Sequence, residues 1–195
     1  MVDGSLDLIT AHTQKQMPRR RFLQLLAAGS AAAMSFPEVA SAATKHSQSP
    51  RKLAFNNLHT GEKVSLTYFE KGKYVSDALK EIDKVLRDHR TDEVHPMDPN
   101  LLNYLYKLQA NLETNKPISI ISGYRSPATN EALRSKSGGV AKKSKHMLGK
   151  AIDIRIENIE STHIRDAAIA LRQGGVGYYS RSNFVHLDTG TFRHW

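Results

Sequence analysis

The chain contains no cysteine. Disulfides, thiolate metal ligands, a cysteine nucleophile and a lipoprotein anchor are all excluded by that one absence. It also lacks any apolar run long enough to span a bilayer as a stable helix. No Gly-x-Ser-x-Gly elbow occurs, so Ser122, Ser126 and Ser144 have no serine-hydrolase setting around them. Acidic residues are in short supply: 28 Lys/Arg stand against 19 Asp/Glu, giving +9 and a pI near 9.8. Such a balance favours acidic partners, whether nucleic acid, anionic lipid or an acidic polymer. At 195 residues the chain has room for one domain and some extra sequence.

Residues 1–42 read as an export signal. Arg19-Arg20-Arg21-Phe22-Leu23 fits the twin-arginine pattern, an Ala-rich stretch follows from Leu23 to Phe36, Pro37 breaks it, and Ala40-Ser41-Ala42 supplies small residues for cleavage. The competing reading is a basic arm followed by an amphipathic helix, which the order of basic, apolar and small residues disfavours. The signal implies the twin-arginine export machinery as a partner, a periplasmic destination, and a mature chain that does not span the membrane. Residues 1–42 hold four Lys/Arg and three Asp/Glu, leaving 24 against 16, or +8, in the remainder. Residues 43–51 are small and polar and read as a flexible leader. The domain is expected over residues 52–195.

Within it, residues 52–69 predict a β-hairpin with its turn at His59-Thr60-Gly61-Glu62. Val75, Leu79, Ile82 and Leu86 predict an amphipathic helix over 75–89. A second helix starts at Asp98-Pro99, with Leu101, Leu102, Leu105, Leu108 and Leu112 inward. Residues 117–122 predict a buried strand ending at Gly123-Tyr124-Arg125, where Ser126 caps the next helix and Pro127 opens it. A strand over 151–156, a helix over 161–172 capped by Ser161 and ending at Gly174, and strands over 175–179 and 183–188 complete the order. The expectation is one α+β domain: a small, mostly antiparallel sheet with packed helices and a site in a cleft on the sheet.

The chemistry concentrates at residues 144–153, Ser-Lys-His-Met-Leu-Gly-Lys-Ala-Ile-Asp. His146 offers an imidazole. Asp153 offers a carboxylate on the face of the strand opposite Ile152, Ile154 and Ile156. His186, in a later strand, is a third candidate ligand. Two imidazoles and one carboxylate suit a catalytic zinc ion with one open position. The plain alternative is a surface histidine and an aspartate paired with arginine. Arg125, at the end of a core strand, either pairs with an acid and fixes its loop, or binds a substrate carboxylate or carbonyl oxygen. The basic loop 136–145 invites a nucleic-acid reading, but no aromatic residues interleave to stack bases, and export argues against that partner. His59, His95 and His163 read as turn or surface residues.

Ser144-x-His146-x-x-Gly149-x-Ala151-x-Asp153, preceded by Ser122-Gly123-Tyr124-Arg125-Ser126 and followed by a late strand histidine, resembles the LAS group of zinc peptidases. Within that group the chain is most similar to the exported murein endopeptidase K type, through Asn56 to Glu62, Gly138 to Ser144, Gly174 to Tyr179 and Arg193-His194-Trp195. The resemblance covers about residues 52 to 195. It implies Zn²⁺ on His146, Asp153 and His186, and hydrolysis of peptidoglycan cross-links between D-alanine and meso-diaminopimelate or between two diaminopimelates. Many members carry an acid three positions before the last histidine as general base. Here that position is Asn183, and the His-x-His variant is absent because Phe184 stands two before His186. Asp188 becomes the first candidate for the base, with an orienting role toward a ligand histidine as its alternative; His194 is the second. Because hedgehog-type domains share this fold without an established hydrolytic role, a non-catalytic zinc-containing peptidoglycan-binding domain is the competing function.

Overall fold

The computed structural model describes residues 49–195. The expected signal segment 1–42 and most of the leader lie outside the described residues. In chain order the elements are β1 (Arg51–Asn57), β2 (Lys63–Glu70), β3 (Lys73–Tyr74), α1 (Ser76–Val85), α2 (Pro99–Asn111), β4 (Ile118–Ser122) and α3 (Pro127–Lys136). A 3₁₀ turn (Lys145–Leu148), β5 (Ala151–Ile156), α4 (Ser161–Leu171), β6 (Gly175–Tyr179), β7 (Phe184–Asp188) and β8 (Arg193–His194) follow. No helix among the described residues is long and apolar enough to cross a membrane.

The strands form one eight-stranded sheet in the order β3-β2-β1-β4-β5-β7-β6-β8. Among the described residues only the β1–β4 and β6–β8 pairings are parallel, so the domain adopts the expected mostly antiparallel α+β architecture. β5 sits between β4 and β7, and its alternating pattern divides the molecule. Ile152, Ile154 and Ile156 join one continuous apolar core with Ile82 of α1, Leu101 and Leu105 of α2 and Ile164 of α4. Burying each such side chain stabilises the fold by about 1.5–3 kcal/mol. Asp153, between these isoleucines in sequence, projects from the opposite face.

Capping follows chemistry where the cap residue is free to act. Asp98 accepts the Asn100 N–H ahead of Pro99, and Ser126 accepts the Thr129 N–H ahead of Pro127. Ser161 departs from expectation: it is the first residue of α4, and its hydroxyl bonds to Asn183 Oδ1 at 2.5 Å instead of capping the helix. That helix closes on Arg172 in the left-handed region rather than at Gly174. α1 stops at Val85, short of the expected residue 89. The Leu86 carbonyl is taken by the Tyr124 N–H at 2.7 Å, and buried Asp88 accepts from the Ser126 and Arg90 N–H groups. Tertiary bonds to the 123–126 loop therefore end the helix where periodicity alone would extend it.

Smaller corrections follow the same logic. β1 begins at Arg51, inside the expected leader; its guanidinium lies over Phe69 and bonds Asn103. The hairpin turn is set by Asn57 Oδ1, which accepts from the His59 and Thr60 N–H groups, while the His59 ring stacks on His89 at 3.8 Å. His95 is half-buried, stacked on Tyr124. Tyr104 is a packing residue, as its flanking position suggested, with its hydroxyl on the Ala168 carbonyl.

Candidate metal centre and substrate cleft

Three segments deliver the site. The 3₁₀ turn presents His146 and closes on Gly149, at φ +63, where a Cβ would stand 2.2 Å from the Pro96 carbonyl oxygen. Only glycine takes that turn cheaply, and it lets the chain reverse from His146 into β5. The β5–β7 register then sets Asp153 directly opposite His186.

His146, Asp153 and His186 are all buried. Their nearest donor atoms form a triangle: His146 Nε2 to His186 Nδ1 is 3.2 Å, His186 Nδ1 to Asp153 Oδ1 is 2.8 Å, and His146 Nε2 to Asp153 Oδ1 is 3.3 Å. Tetrahedral zinc with bonds of about 2.0–2.1 Å spaces its donors roughly 3.3 Å apart, so the triangle has the right size. The far nitrogens decide the tautomers. His146 Nδ1 faces the Gly123 carbonyl at 2.7 Å, and His186 Nε2 faces Asp188 Oδ2 at 3.1 Å. Both partners only accept, so both outer nitrogens carry protons. When unprotonated, the inner nitrogens aim lone pairs at one point beside a carboxylate. Such a convergence calls for a cation, and the donor set fits a divalent metal.

The electrostatics agree. Burial opposes ionisation of Asp153, but the two imidazoles outweigh it and hold the carboxyl well below the usual carboxylate range. Burial lowers the His186 pKa, yet the bonds from Asp153 and Asp188 raise it to about 9. Protons and a metal therefore compete for the same inner nitrogen.

Arg125 stands at the rim of the triangle. Its side chain is largely buried, and burial lowers its pKa. Its contacts are sparse: Asn130 Oδ1 at 3.5 Å and Asp153 Oδ2 at 3.8 Å, with Nε buried and unpartnered. A guanidinium so poorly matched by protein retains donor capacity for a ligand.

Asp188 and His194 fare differently from their first readings. Asp188 is fully buried and committed: it accepts from Arg193 at 2.6 and 3.1 Å, from the Gly190 N–H at 2.7 Å and from His186. Burial would raise its pKa, but the bonds from His186, Arg193 and Gly190 keep it well below the ordinary range. These bonds tie Asp188 to the His186 ring and to Arg193, which fits the orienting role, its alternative reading. His194 does not line the cleft. It is exposed, with its ring 6.2 Å from that of Phe192. Its chain neighbours, Arg193 in β8 and Trp195 just after it, line the cleft instead, because side chains alternate along an extended chain. Asn183 does not line the cleft either: its side chain holds Ser161. Among the described residues, Asp153 and Asp188 are the only ones that line the cleft with a carboxylate side chain.

Two glycines of β6 explain what sequence reasoning passed over. Gly175 and Gly177 lie opposite Asp188 and His186. A Cβ on Gly175 would meet the Arg193 guanidinium, and one on Gly177 would meet the Trp195 indole at 2.7 Å. The missing side chains make room for Arg193 to reach Asp188 and for Trp195 to lie beside His186, with ring centroids 5.5 Å apart. The available signal was the Gly-x-Gly spacing inside a strand pattern, which marks a close approach. Around the metal triangle the cleft is lined by the aromatic residues Tyr179, Phe184 and Trp195 and by the basic residues Lys143, Lys145 and Arg193.

The chain matches the family model described as peptidoglycan L,D-endopeptidase MepK over residues 45–195. It belongs to the MepK peptidase family. A relative from Escherichia coli K12, named peptidoglycan L,D-endopeptidase MepK, is 50% identical over 153 residues, covering 78% of this chain and 84% of that protein. One from Haemophilus influenzae, named probable peptidoglycan L,D-endopeptidase MepK, is 47% identical over 147 residues, covering 75% and 79%. MepK family membership thus rests on the domain that carries the triangle, Arg125 and the cleft.

Asp188→Asn tests the orienting contact. The amide cannot accept from His186 and bind Arg193 as a carboxylate does, so metal affinity is expected to fall by about 10–100-fold. Competition against a chelating dye at fixed pH measures it. Unchanged affinity would reduce Asp188 to a partner of Arg193.

Proposed function

We propose that this chain is a zinc peptidase that hydrolyses peptide cross-links in peptidoglycan. The observation that carries the reading is the buried His146–Asp153–His186 triangle, with both outer nitrogens committed to acceptors, at the floor of a basic cleft. His146, Asp153 and His186 would hold the zinc, which when bound would supply Lewis-acid chemistry: polarisation of the scissile carbonyl and a water pKa lowered to about 7. The residues of the chain do the rest. The Gly123 carbonyl and Asp188 fix the tautomers and ring orientations of the two histidines. Arg125 donates to the carbonyl oxygen as negative charge develops there. Lys143 and Lys145 draw in the carboxylates of stem peptides.

The names of the relatives favour one cross-link. A bond from the L-centre carboxyl of one diaminopimelate to the D-centre amine of the next is an L,D bond, whereas D-alanine to diaminopimelate is D,D. We therefore place the diaminopimelate–diaminopimelate bond first. The non-catalytic binding-domain reading has less support, because the relatives are named as endopeptidases. Export through the twin-arginine pathway, removal of residues 1–42 and work in the periplasm complete the proposal, on the strength of Arg19 to Leu23 and Ala40 to Ala42.

The test is digestion of purified cross-linked muropeptides, followed by chromatography. Without chelator, the diaminopimelate-linked dimer is expected to release monomers, and the D-alanine-linked dimer to do so only if both bonds are cut. A chelator should abolish release and added zinc should restore it. Release that persists in chelator would overturn the metal reading.

A further inference from the structure

Trp195 is the one tryptophan of the chain, and it stands half exposed, at 52%, in the wall of the cleft. It does not stand alone: Tyr179 and Phe184 line the same cleft, and a contiguous exposed apolar patch, unlike a lone exposed ring, marks a ligand-binding groove. The placement of Trp195 is also constrained from several sides. The Trp195 N–H bonds the Val176 carbonyl at 3.2 Å, and the Trp195 carbonyl accepts from the Tyr178 N–H at 3.0 Å. The indole N–H donates to the Tyr179 hydroxyl at 3.3 Å. The Arg193 guanidinium lies 5.0 Å from the ring. Gly177 leaves the slot that the indole fills. The ring is therefore rigidly held yet uncovered, which is the condition under which an aromatic residue contributes to binding with little entropy loss.

Resting on the endopeptidase reading, we propose that Trp195 is a substrate-binding residue, with its indole face packing against the aliphatic part of the stem peptide next to the scissile bond. The argument for peptide over sugar is distance. The indole lies 5.5 Å, ring to ring, from His186, so what it touches must lie within a residue or so of the bond being cut. The glycan is separated from the cross-linked residue by further stem residues of roughly 3.5 Å each, which puts it beyond the ring. Tyr179 and Phe184, stacked at 4.5 Å, extend the same apolar wall. The carboxylates of the peptide then have Lys143, Lys145 and Arg125 of the same cleft to pair with.

The uniqueness of Trp195 makes the test direct, since all tryptophan emission from the full-length, zinc-loaded protein comes from this ring. The probes are the uncross-linked stem tetrapeptide and, separately, the free disaccharide. The tetrapeptide is expected to change the emission over the concentration range in which it inhibits cleavage, and the disaccharide is expected to leave it unaltered. Trp195→Ala should raise KM for the cross-linked dimer roughly ten-fold with kcat changed far less and zinc retained. Trp195→Phe should recover most of the loss. Gly177→Ala keeps the indole but drives it from its slot, and should raise KM as Trp195→Ala does.

Emission that responds to the disaccharide, or that ignores inhibitory tetrapeptide, would overturn the proposal. So would a Trp195→Ala protein that loses zinc or kcat with KM unchanged, because the ring would then be a cover over His186. Absence of cleavage by the wild-type protein would be a failure of the endopeptidase reading instead, and the emission titration would still report whether the tetrapeptide meets the indole.

Discussion

His146→Ala is expected to lose zinc and cleavage together. The variant keeps only Asp153 and His186 of the triangle, and two donors do not make a catalytic zinc site. Because the metal contributes several kcal/mol to the transition state, cleavage should fall by roughly 10³-fold or more. Elemental analysis and chromatography of digested cross-linked muropeptides read the two losses. There is a structural cost to separate. The buried Gly123 carbonyl loses its imidazole partner, worth about 1–3 kcal/mol of stability. Denaturant unfolding of the variant distinguishes a folded, metal-free protein from an unfolded one. About one zinc per wild-type chain, absent from the variant, is the expected outcome. A variant that keeps full zinc would remove His146 from the ligand set. A wild-type protein that binds zinc and cuts nothing would move the assignment to a binding domain.

Why this triangle could be read from the sequence, while the groups around it could not, is a matter of range. His146 and Asp153 lie seven residues apart, and both local devices between them leave marks: a glycine for the turn and an alternating run for the strand. His186 and Asp188 sit on one face by the period of a strand alone. The register that sets Asp153 across from His186 is a long-range pairing, and alternation within β5 and β7 restricts it without naming it. Asp188 illustrates the limit. Its face was legible, but its role depends on Arg193, which arrives on β8. A two-residue strand has no pattern to read, and its side-chain parity is set only by pairing to β6. That parity turns Arg193 and Trp195 to the cleft and His194 to solvent. Likewise the end of α1 is decided by Tyr124 and Ser126, some forty residues downstream in sequence, which take up the Leu86 carbonyl and the Asp88 carboxylate.

Substituting Arg125 should slow turnover while sparing the metal. No atom of Arg125 belongs to the donor triangle; its guanidinium comes within 3.8 Å of Asp153 Oδ2, and its backbone N–H, which substitution keeps, holds the His146 carbonyl at 3.2 Å. Zinc content of Arg125→Ala should therefore match wild type. Its buried, unpartnered Nε shows that the protein leaves this guanidinium unsatisfied, although an unpaired buried donor costs stability. In the proposed mechanism the compensation would come as charge develops on the carbonyl oxygen, which would then give the guanidinium a strong acceptor. Loss of a single donor of this kind typically lowers kcat by about 10²–10³-fold. Arg125→Lys should fall nearer to the alanine variant than to wild type. A compact ammonium keeps the charge but not the planar fork, and its shorter reach ends short of the same point. Single-turnover rates at saturating dimer, with zinc measured on the same preparations, make the comparison. Zinc loss in Arg125→Ala would make the residue a support for Asp153. Unchanged turnover in both variants would leave the developing charge to the metal alone.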